Sequence, residues 1–283
     1  MTQLVDTISE MRRWSQGARQ RGDVVALVPT MGALHRGHLA LVKRARQEAQ
    51  RVVVSIFVNP LQFAPHEDWD RYPRQLANDM AALADEQVDV VFAPSVEEMY
   101  PQGDSLTRVS VASMAGALCG RTRPTHFDGV TTVVAKLFHI VQPDVAVFGE
   151  KDWQQLTIIR RMVSDLNFPV TVLGVPTVRE PSGLALSSRN QYLSPEEHQR
   201  AGAIYQSLVR AKERYQQGER HRDRLIDLVR ATLHEAGLTP EYVEIVDPGT
   251  LEACPASLPS SALLAVAVPV GRARLIDNML LGQ

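Results

Sequence analysis

His35 and His38 stand three residues apart in the run Pro29-Thr30-Met31-Gly32-Ala33-Leu34-His35-Arg36-Gly37-His38. An apolar, strand-like stretch precedes this run and an amphipathic, helical one follows it. On a first helical turn, positions i and i+3 share a face. Helix N-terminal N–H groups and the positive end of the helix dipole suit a phosphate, and two imidazoles there can donate to phosphate oxygens. The same dipole end favours the neutral imidazole. Gly32 and Gly37 let the backbone come close to a ligand. Residues 31–38 are therefore expected to do phosphate chemistry. Two other uses of the histidine pair stay open. One is local capping or packing. The other is a metal pair, which needs further ligands and has none near in sequence.

Three more stretches carry polar groups at the ends of strand-like runs. In Ser55-Ile56-Phe57-Val58-Asn59-Pro60-Leu61-Gln62-Phe63, a turn at Asn59-Pro60 places Gln62, an amide that both donates and accepts, just past a strand. The alternative for Gln62 is a plain surface loop. In Phe148-Gly149-Glu150-Lys151-Asp152-Trp153-Gln154-Gln155, a strand ends and a helix begins. Gly149 permits the tight turn, Lys151 is placed for a phosphate, and Gln155 follows about one turn later. Elsewhere, Glu150, Lys151 and Asp152 would read as a solvated turn. In Leu186-Ser187-Ser188-Arg189-Asn190, two hydroxyls and a guanidinium can grip a polyphosphate. The chain has no Walker A, G-x-G-x-x-G or G-x-S-x-G pattern, so neither a P-loop, a dinucleotide fingerprint nor a serine-nucleophile elbow is expected.

These groups need a frame. Apolar runs at 24–28, 51–56, 88–93, 145–148 and 170–175 read as strands, and the stretches 38–49, 74–87, 128–141 and 153–166 between them read as helices. Alternation of this kind implies βαβ crossovers and a parallel sheet with helices on both faces. Near-continuous Val and Ile runs fit strands covered on both sides. The pattern changes near Pro176. Ser194 and Pro195 open a helix that runs to about Tyr215, and a second helix, 223–236, stops at Gly237. Strand-like runs then cluster at 242–246, 263–268 and 273–277. The expectation is an α/β domain, residues 1–176, followed by a smaller α+β C-terminal domain, residues 177–283.

The charge balance, 30 basic against 32 acidic residues, offers no basic excess for a nucleic-acid partner. The longest apolar run, Ala262 to Val270, is too short to span a bilayer, and Met1 to Trp14 lacks the apolar stretch of a signal peptide. Cys119 and Cys254 are far apart and read as two reduced thiols. A soluble, cytoplasmic protein without membrane contact is expected.

The four-residue pattern from His35 to His38 resembles the HxGH signature of the nucleotidyltransferase superfamily, whose members split ATP between the α- and β-phosphates. Taken together, PTMGALHRGH, SIFVNPLQF, YPRQLANDM, RPTHFDGV, FGEKDWQQL, VPTVRE and GLALSSRNQYL resemble the motifs of the pantothenate synthetase (pantoate–β-alanine ligase) family, in its order, from Pro29 to Leu193. ARLIDNM at 273–279 extends the resemblance more diffusely. It implies a Rossmann-like first domain that binds ATP and pantoate, with the C-terminal domain closing over the ATP site. It also implies an AMP-forming ligase that condenses (R)-pantoate and β-alanine with ATP and Mg2+ through a pantoyl adenylate, working as a homodimer.

By the same resemblance, Met31, Gly32, Ala33, Leu34, His35, Arg36, Gly37 and His38 hold ATP, with His38 the proton donor. Gly149, Glu150, Lys151, Asp152, Val178, Leu186, Ser187, Ser188 and Arg189 complete the ATP site. His35, His38, Lys151 and Arg189 are the catalytic candidates around the triphosphate. Gln62 and Gln155 bind pantoate, Gln62 also touches β-alanine, and Asp79 lies near Mg2+. Asn78 stands where some members carry a second carboxylate, and Leu186 where others have Met. Arg123 and His126 follow as second-rank candidates. Two alternatives share much of this pattern: another nucleotidyltransferase acting on a phosphorylated acceptor, and a nucleotide-binding regulatory module that releases no pyrophosphate.

Overall fold

The structure is a computed structural model and describes residues 1–64, 67, 69–103 and 105–282. The first sheet is six-stranded, with β1 (Gln3–Val5), β2 (Val25–Thr30), β3 (Arg51–Ile56), β4 (Val90–Phe92), β5 (Val145–Gly149) and β6 (Thr171–Val175) in the order β1-β4-β3-β2-β5-β6. Every neighbouring pair in it is parallel. Strand succession reverses between β2 and β5, so the crevice at their carboxyl ends is the topological switch point where open α/β sheets bind ligands.

Among the described residues, this part of the chain has seven helices: α1 (Ile8–Gln20), α2 (Arg36–Glu48), α3 (Leu76–Asp85), the short α4 (Val96–Met99) and α5 (Ala112–Ala115), α6 (His126–Val141) and α7 (Trp153–Asp165). Side chains alternate across a strand. Ala26, Val28, Val52, Val54 and Val147 share one buried cluster with Leu41, Val42 and Ala45 of α2 and Leu83 of α3. The intervening Leu27, Val53, Ala146 and Phe148 are buried as well. Burial of both faces is why these strands read as unbroken apolar runs. Each such side chain contributes roughly 1.5–3 kcal/mol, which makes the sheet a stiff base for the loops at its ends.

The later part of the chain builds a three-stranded antiparallel sheet from β7 (Tyr242–Val246), β8 (Ala262–Val270) and β9 (Ala273–Leu281), in that order. Its core gathers Ile204, Leu208 and Ala211 of α8 (Pro195–Gln216) with Leu225, Val229 and Leu233 of α9 (Arg222–Glu235) over Leu264, Val266 and Val268 of β8. Ser194 and Glu197 cap α8 reciprocally, with Pro195 at its first position. Gly237, at φ +69°, ends α9, with its N–H on His234 O and that of Leu238 on Leu233 O. This is the paired bonding of a left-handed glycine stop.

The chain forms two compact units. One holds residues 1–115, 122–150 and 158–176, and the other holds 116–121, 151–157 and 177–283. No single cut in the chain reproduces this division, because two short segments before residue 177 belong with the second unit.

Candidate functional site

In the first unit, β2 ends at Thr30 and α2 begins at Arg36, so Met31 to His35 form the connecting loop at the switch point. The loop turns on two left-handed residues, Gly32 (φ +81°) and Ala33 (φ +51°). A Cβ at residue 32 would lie 3.0 Å from both Asp79 Oδ2 and Ile56 Cγ2, so glycine is needed there on two counts. Ala33 has no such freedom and is held from outside. Asp79 of α3 accepts Ala33 N–H at 2.9 Å and Leu34 N–H at 2.8 Å, one on each carboxylate oxygen.

His35 caps α2, its Nδ1 accepting Gly37 N–H at 3.1 Å. His38 answers, its Nδ1 accepting His35 N–H at 3.3 Å. The rings lie 4.1 Å apart. A nitrogen that accepts a backbone N–H carries no proton of its own, so each neutral ring holds its proton on Nε2. Capping uses Nδ1 of each ring, and the phosphate donation read from the sequence would use Nε2–H. Arg36 is exposed and Gly37 half-buried at the start of α2.

Gln62 closes the 3-10 turn Pro60–Gln62 beyond β3. Its Nε2 donates to Met31 Sδ at 3.1 Å, and its Oε1 accepts from Asn59 Nδ2 at 3.1 Å. Asn59 is buried and uses both ends of its amide, donating to Gly129 O and accepting from Leu61 N–H and from Tyr100 OH at 2.9 Å. Burial pushes the Tyr100 phenol up, so it stays a neutral donor. Behind Gln62, its carbonyl accepts from Arg123 Nη2 at 3.2 Å and from His126 Nδ1 at 2.8 Å. Arg123 also forks onto both oxygens of Glu67. Burial raises the Glu67 carboxyl, and the hydrogen bonds and charge of Arg123 outweigh that and hold it below the usual value.

The first unit thus joins Gln62 directly to Met31 and places Arg123 and His126 behind Gln62 as supports. Sequence reasoning took Asn59 only as a turn residue and did not find Tyr100 or Gly129. An Asn between an apolar run and a proline was the available signal for Asn59. A cavity of about 550 Å3 opens at this end of the sheet, with Met31, Gly32, Trp69, Arg74, Asp79 and Ser95 in its walls.

Asp79 does not suit a preformed Mg2+ site. It is 2% exposed and spends an oxygen on each of two backbone N–H groups. Its neighbour Asn78 carries no charge. Among the described residues, no three His, Cys, Asp or Glu side chains gather in a metal-holding group. The bonds it makes give Asp79 a different part, as the anchor of the 31–35 loop.

Gly149 ends β5, and Glu150 to Asp152 form a 3-10 turn that leads into α7. Within the second unit, Lys151 Nζ lies 3.7 Å from Asp152 Oδ1, and Lys151 O accepts from Asn278 Nδ2 at 2.9 Å. Gln155 is half-buried. Its neighbour Gln154 is buried and bonds Cys119 N–H and Ala117 O, a structural tie.

Val178 and Leu186 face each other in a small hairpin, with Leu186 N–H on Val178 O at 3.0 Å and an antiparallel bridge between Arg179 and Ala185. Ser187 then caps the 3-10 turn Ser188–Tyr192 by accepting Arg189 N–H at 3.2 Å. Ser188 is buried and Arg189 half-buried. Both cysteines are buried, and neither is in a disulfide. Cys119 Sγ lies 3.1 Å from Tyr242 OH.

Known proteins place this architecture. A sequence profile described as Pantoate-beta-alanine ligase matches residues 3–280. Pantothenate synthetase of Heliobacterium modesticaldum is 52% identical over 277 residues, 98% of each chain. That of Thermotoga petrophila is 51% identical over 280 residues, 99% of each chain. Among solved structures, pantothenate synthetase from Thermus thermophilus is 49% identical, with a TM-score of 0.92 over 98% of each chain. Pantoate-beta-alanine ligase from Francisella tularensis, complexed with beta-gamma ATP and beta-alanine, is 35% identical, with a TM-score of 0.83 over 99% of this chain and 98% of that one.

Proposed function

The chain belongs to the pantoate–beta-alanine ligase family and is an enzyme of that family, and from that membership we propose that it condenses (R)-pantoate with β-alanine through a pantoyl adenylate. The observation that carries this reading is the reciprocal cap of His35 and His38, which fixes two neutral rings with Nε2–H at a helix N-terminus on the switch point. The nucleotide and β-alanine held by the Francisella relative support ATP and the amine as co-substrates.

In the first step, a pantoate carboxylate oxygen bonds to the α-phosphorus, the α–β bridging P–O bond breaks, and pyrophosphate leaves. In the second, the β-alanine amine attacks the acyl carbon and loses a proton, and the C–O bond to AMP breaks. The chemistry needs the first step because a free carboxylate is a poor acyl donor. His38 donates to the phosphate oxygens as charge builds there, with His35, Lys151 and Arg189 as further donors. The backbone from Met31 to His38, the turn Gly149 to Asp152, and Val178 with Leu186 to Arg189 hold the rest of ATP. Gln62 and Gln155 hold pantoate, and Gln62 also meets β-alanine.

Mg2+ would come with the phosphate oxygens, since this cation keeps few protein ligands. A cytoplasmic homodimer completes the reading. No helix among the described residues is long and apolar enough to cross a membrane.

The test is exchange of labelled pyrophosphate into ATP. Exchange should require pantoate and proceed without β-alanine. Exchange that needs β-alanine, or that ignores pantoate, would exclude the adenylate.

A further inference from the structure

ARLIDNM at 273–279 has a place in the sequence pattern but no role in the reaction as proposed. In the structure it is the body of β9, and two adjacent residues of that strand reach two loops given to the nucleotide. Asn278 Nδ2 donates to Lys151 O at 2.9 Å. Asp277, only 3% exposed, accepts Arg179 in a fork, at 2.6 Å on Oδ2 and 3.0 Å on Oδ1. Oδ1 also accepts the backbone N–H of Asn278 at 2.8 Å, which ties the Asp277 carboxylate to the main chain of its neighbour.

Arg179 lies in the hairpin that presents Val178 and Leu186. It donates to Gly183 O at the hairpin turn and stacks 4.2 Å over the Tyr205 ring. β9 itself is fixed, paired to β8 along nine residue pairs from Ala262↔Leu281 to Val270↔Ala273.

We infer that Asp277 and Asn278 are positioning residues for the nucleotide side of the reaction: Asn278 sets the Lys151 turn through the Lys151 carbonyl, and Asp277 sets the Val178–Leu186 hairpin through Arg179. The inference rests on the proposed phosphate role of Lys151. A turn of three residues has little stiffness of its own, and a lysine side chain has four rotatable bonds. Anchoring the main chain at residue 151 narrows where the ammonium can go before ATP arrives. In the contact with the Lys151 carbonyl, the Asn278 amide is the donor.

The experiment is a double-mutant cycle on the full-length enzyme, read by pantoate-dependent pyrophosphate exchange, KM for ATP, KM for pantoate and thermal midpoint. Asn278→Ala removes the bond, and Asn278→Asp keeps the shape but turns an oxygen toward the Lys151 carbonyl. Asn278→Ala should raise the ATP KM or lower exchange by about 5–30-fold, as for a lost buried hydrogen bond. Asn278→Asp should do at least as much harm. KM for pantoate should hold, and the thermal midpoint should fall by no more than the few degrees that one lost hydrogen bond costs.

In a Lys151→Ala background, Asn278→Ala should add nothing, because no ammonium remains to be placed. Additive losses, or a lowered midpoint with unchanged ATP kinetics, would overturn the inference alone. A Lys151→Ala enzyme with unaltered ATP kinetics would remove the proposed role of Lys151 together with the inference.

Discussion

His38 gives its Nδ1 to a backbone N–H, and that one bond decides which nitrogen could serve the proposed reaction. With Nδ1 an acceptor, Nε2–H is a donor whose orientation the helix start has already set. A donor fixed in advance costs little reorganisation as charge builds on the α-phosphate. His38→Ala should therefore slow adenylate formation by about 100-fold or more while leaving the fold intact, as for a lost oxyanion donor. Attack of β-alanine on supplied pantoyl adenylate should suffer much less, since no pyrophosphate departs in that step. Single-turnover assays of the two halves separate these outcomes, and a folded His38→Ala enzyme that makes adenylate at the wild-type rate would refute the role. Asp79 acts at the other end of the same loop. Asp79→Asn exchanges one acceptor for an N–H group that must face a backbone N–H. The left-handed conformation of Ala33 then loses part of its support, at a cost of about 1–3 kcal/mol for the unmade bond. KM for ATP should rise while the Mg2+ concentration for half-maximal rate stays put. Rescue by added Mg2+ would instead mark Asp79 as a metal ligand.

At the level of elements, α6 and the turn at Pro60–Gln62 depend on a missing side chain. A Cβ on Gly129 would lie 2.3 Å from Leu61 O and 2.7 Å from Gln62 N. Gly129→Ala must push the turn away from the helix, and overpacking of this kind costs about 1–3 kcal/mol. Because Gln62 rides on that turn, KM for pantoate should rise several-fold, on the order of the same energy. KM for ATP should change little, and initial-rate kinetics with each substrate varied in turn would show the contrast. Most elements were legible in the sequence because their periodicity was strong. The buried strands 51–56 and 145–149 and the capped helix at Ser194-Pro195 each carry several agreeing signals. β1 was not legible, being a three-residue edge strand that pairs only with β4 and leaves Gln3 and Leu4 exposed. The loop candidates were legible where glycine, histidine and proline mark strand ends. Their supporting contacts were not: Asp79 was named only for Mg2+ and Arg123 only as a second-rank candidate, and these two, with Tyr100 and Asn278, reach the loops from elsewhere in the chain, where no local pattern encodes the pairing.

Across the whole molecule, the second unit depends on residues that a cut near Pro176 would remove. Gly116–Arg121 and Lys151–Thr157 cluster with it. Their bonds are specific: Trp153 Nε1 donates to Pro248 O at 2.9 Å, Asn278 to Lys151 O, and Arg121 pairs with Glu244. The Tyr242 phenol and the Cys119 thiol meet at 3.1 Å, in a place so buried that the phenol is pushed well above its usual value. A fragment of residues 177–283 keeps α8, α9 and the three-stranded sheet, and so keeps its main apolar core. It loses every one of those partners, leaving Tyr242 OH and the buried side of β7 facing water or each other. Each lost hydrogen bond costs about 0.5–1.5 kcal/mol, and a small domain has only about 5–15 kcal/mol in hand. The fragment should therefore show helical and strand circular dichroism but a thermal midpoint at least several degrees below that of the intact chain, on the scale of about 4–8 °C per kcal/mol for a domain of this size. Adding a 1–176 fragment should restore the midpoint in part, since it returns both segments. Equal midpoints for the fragment and the intact chain would mean that the two segments contribute nothing to the second unit.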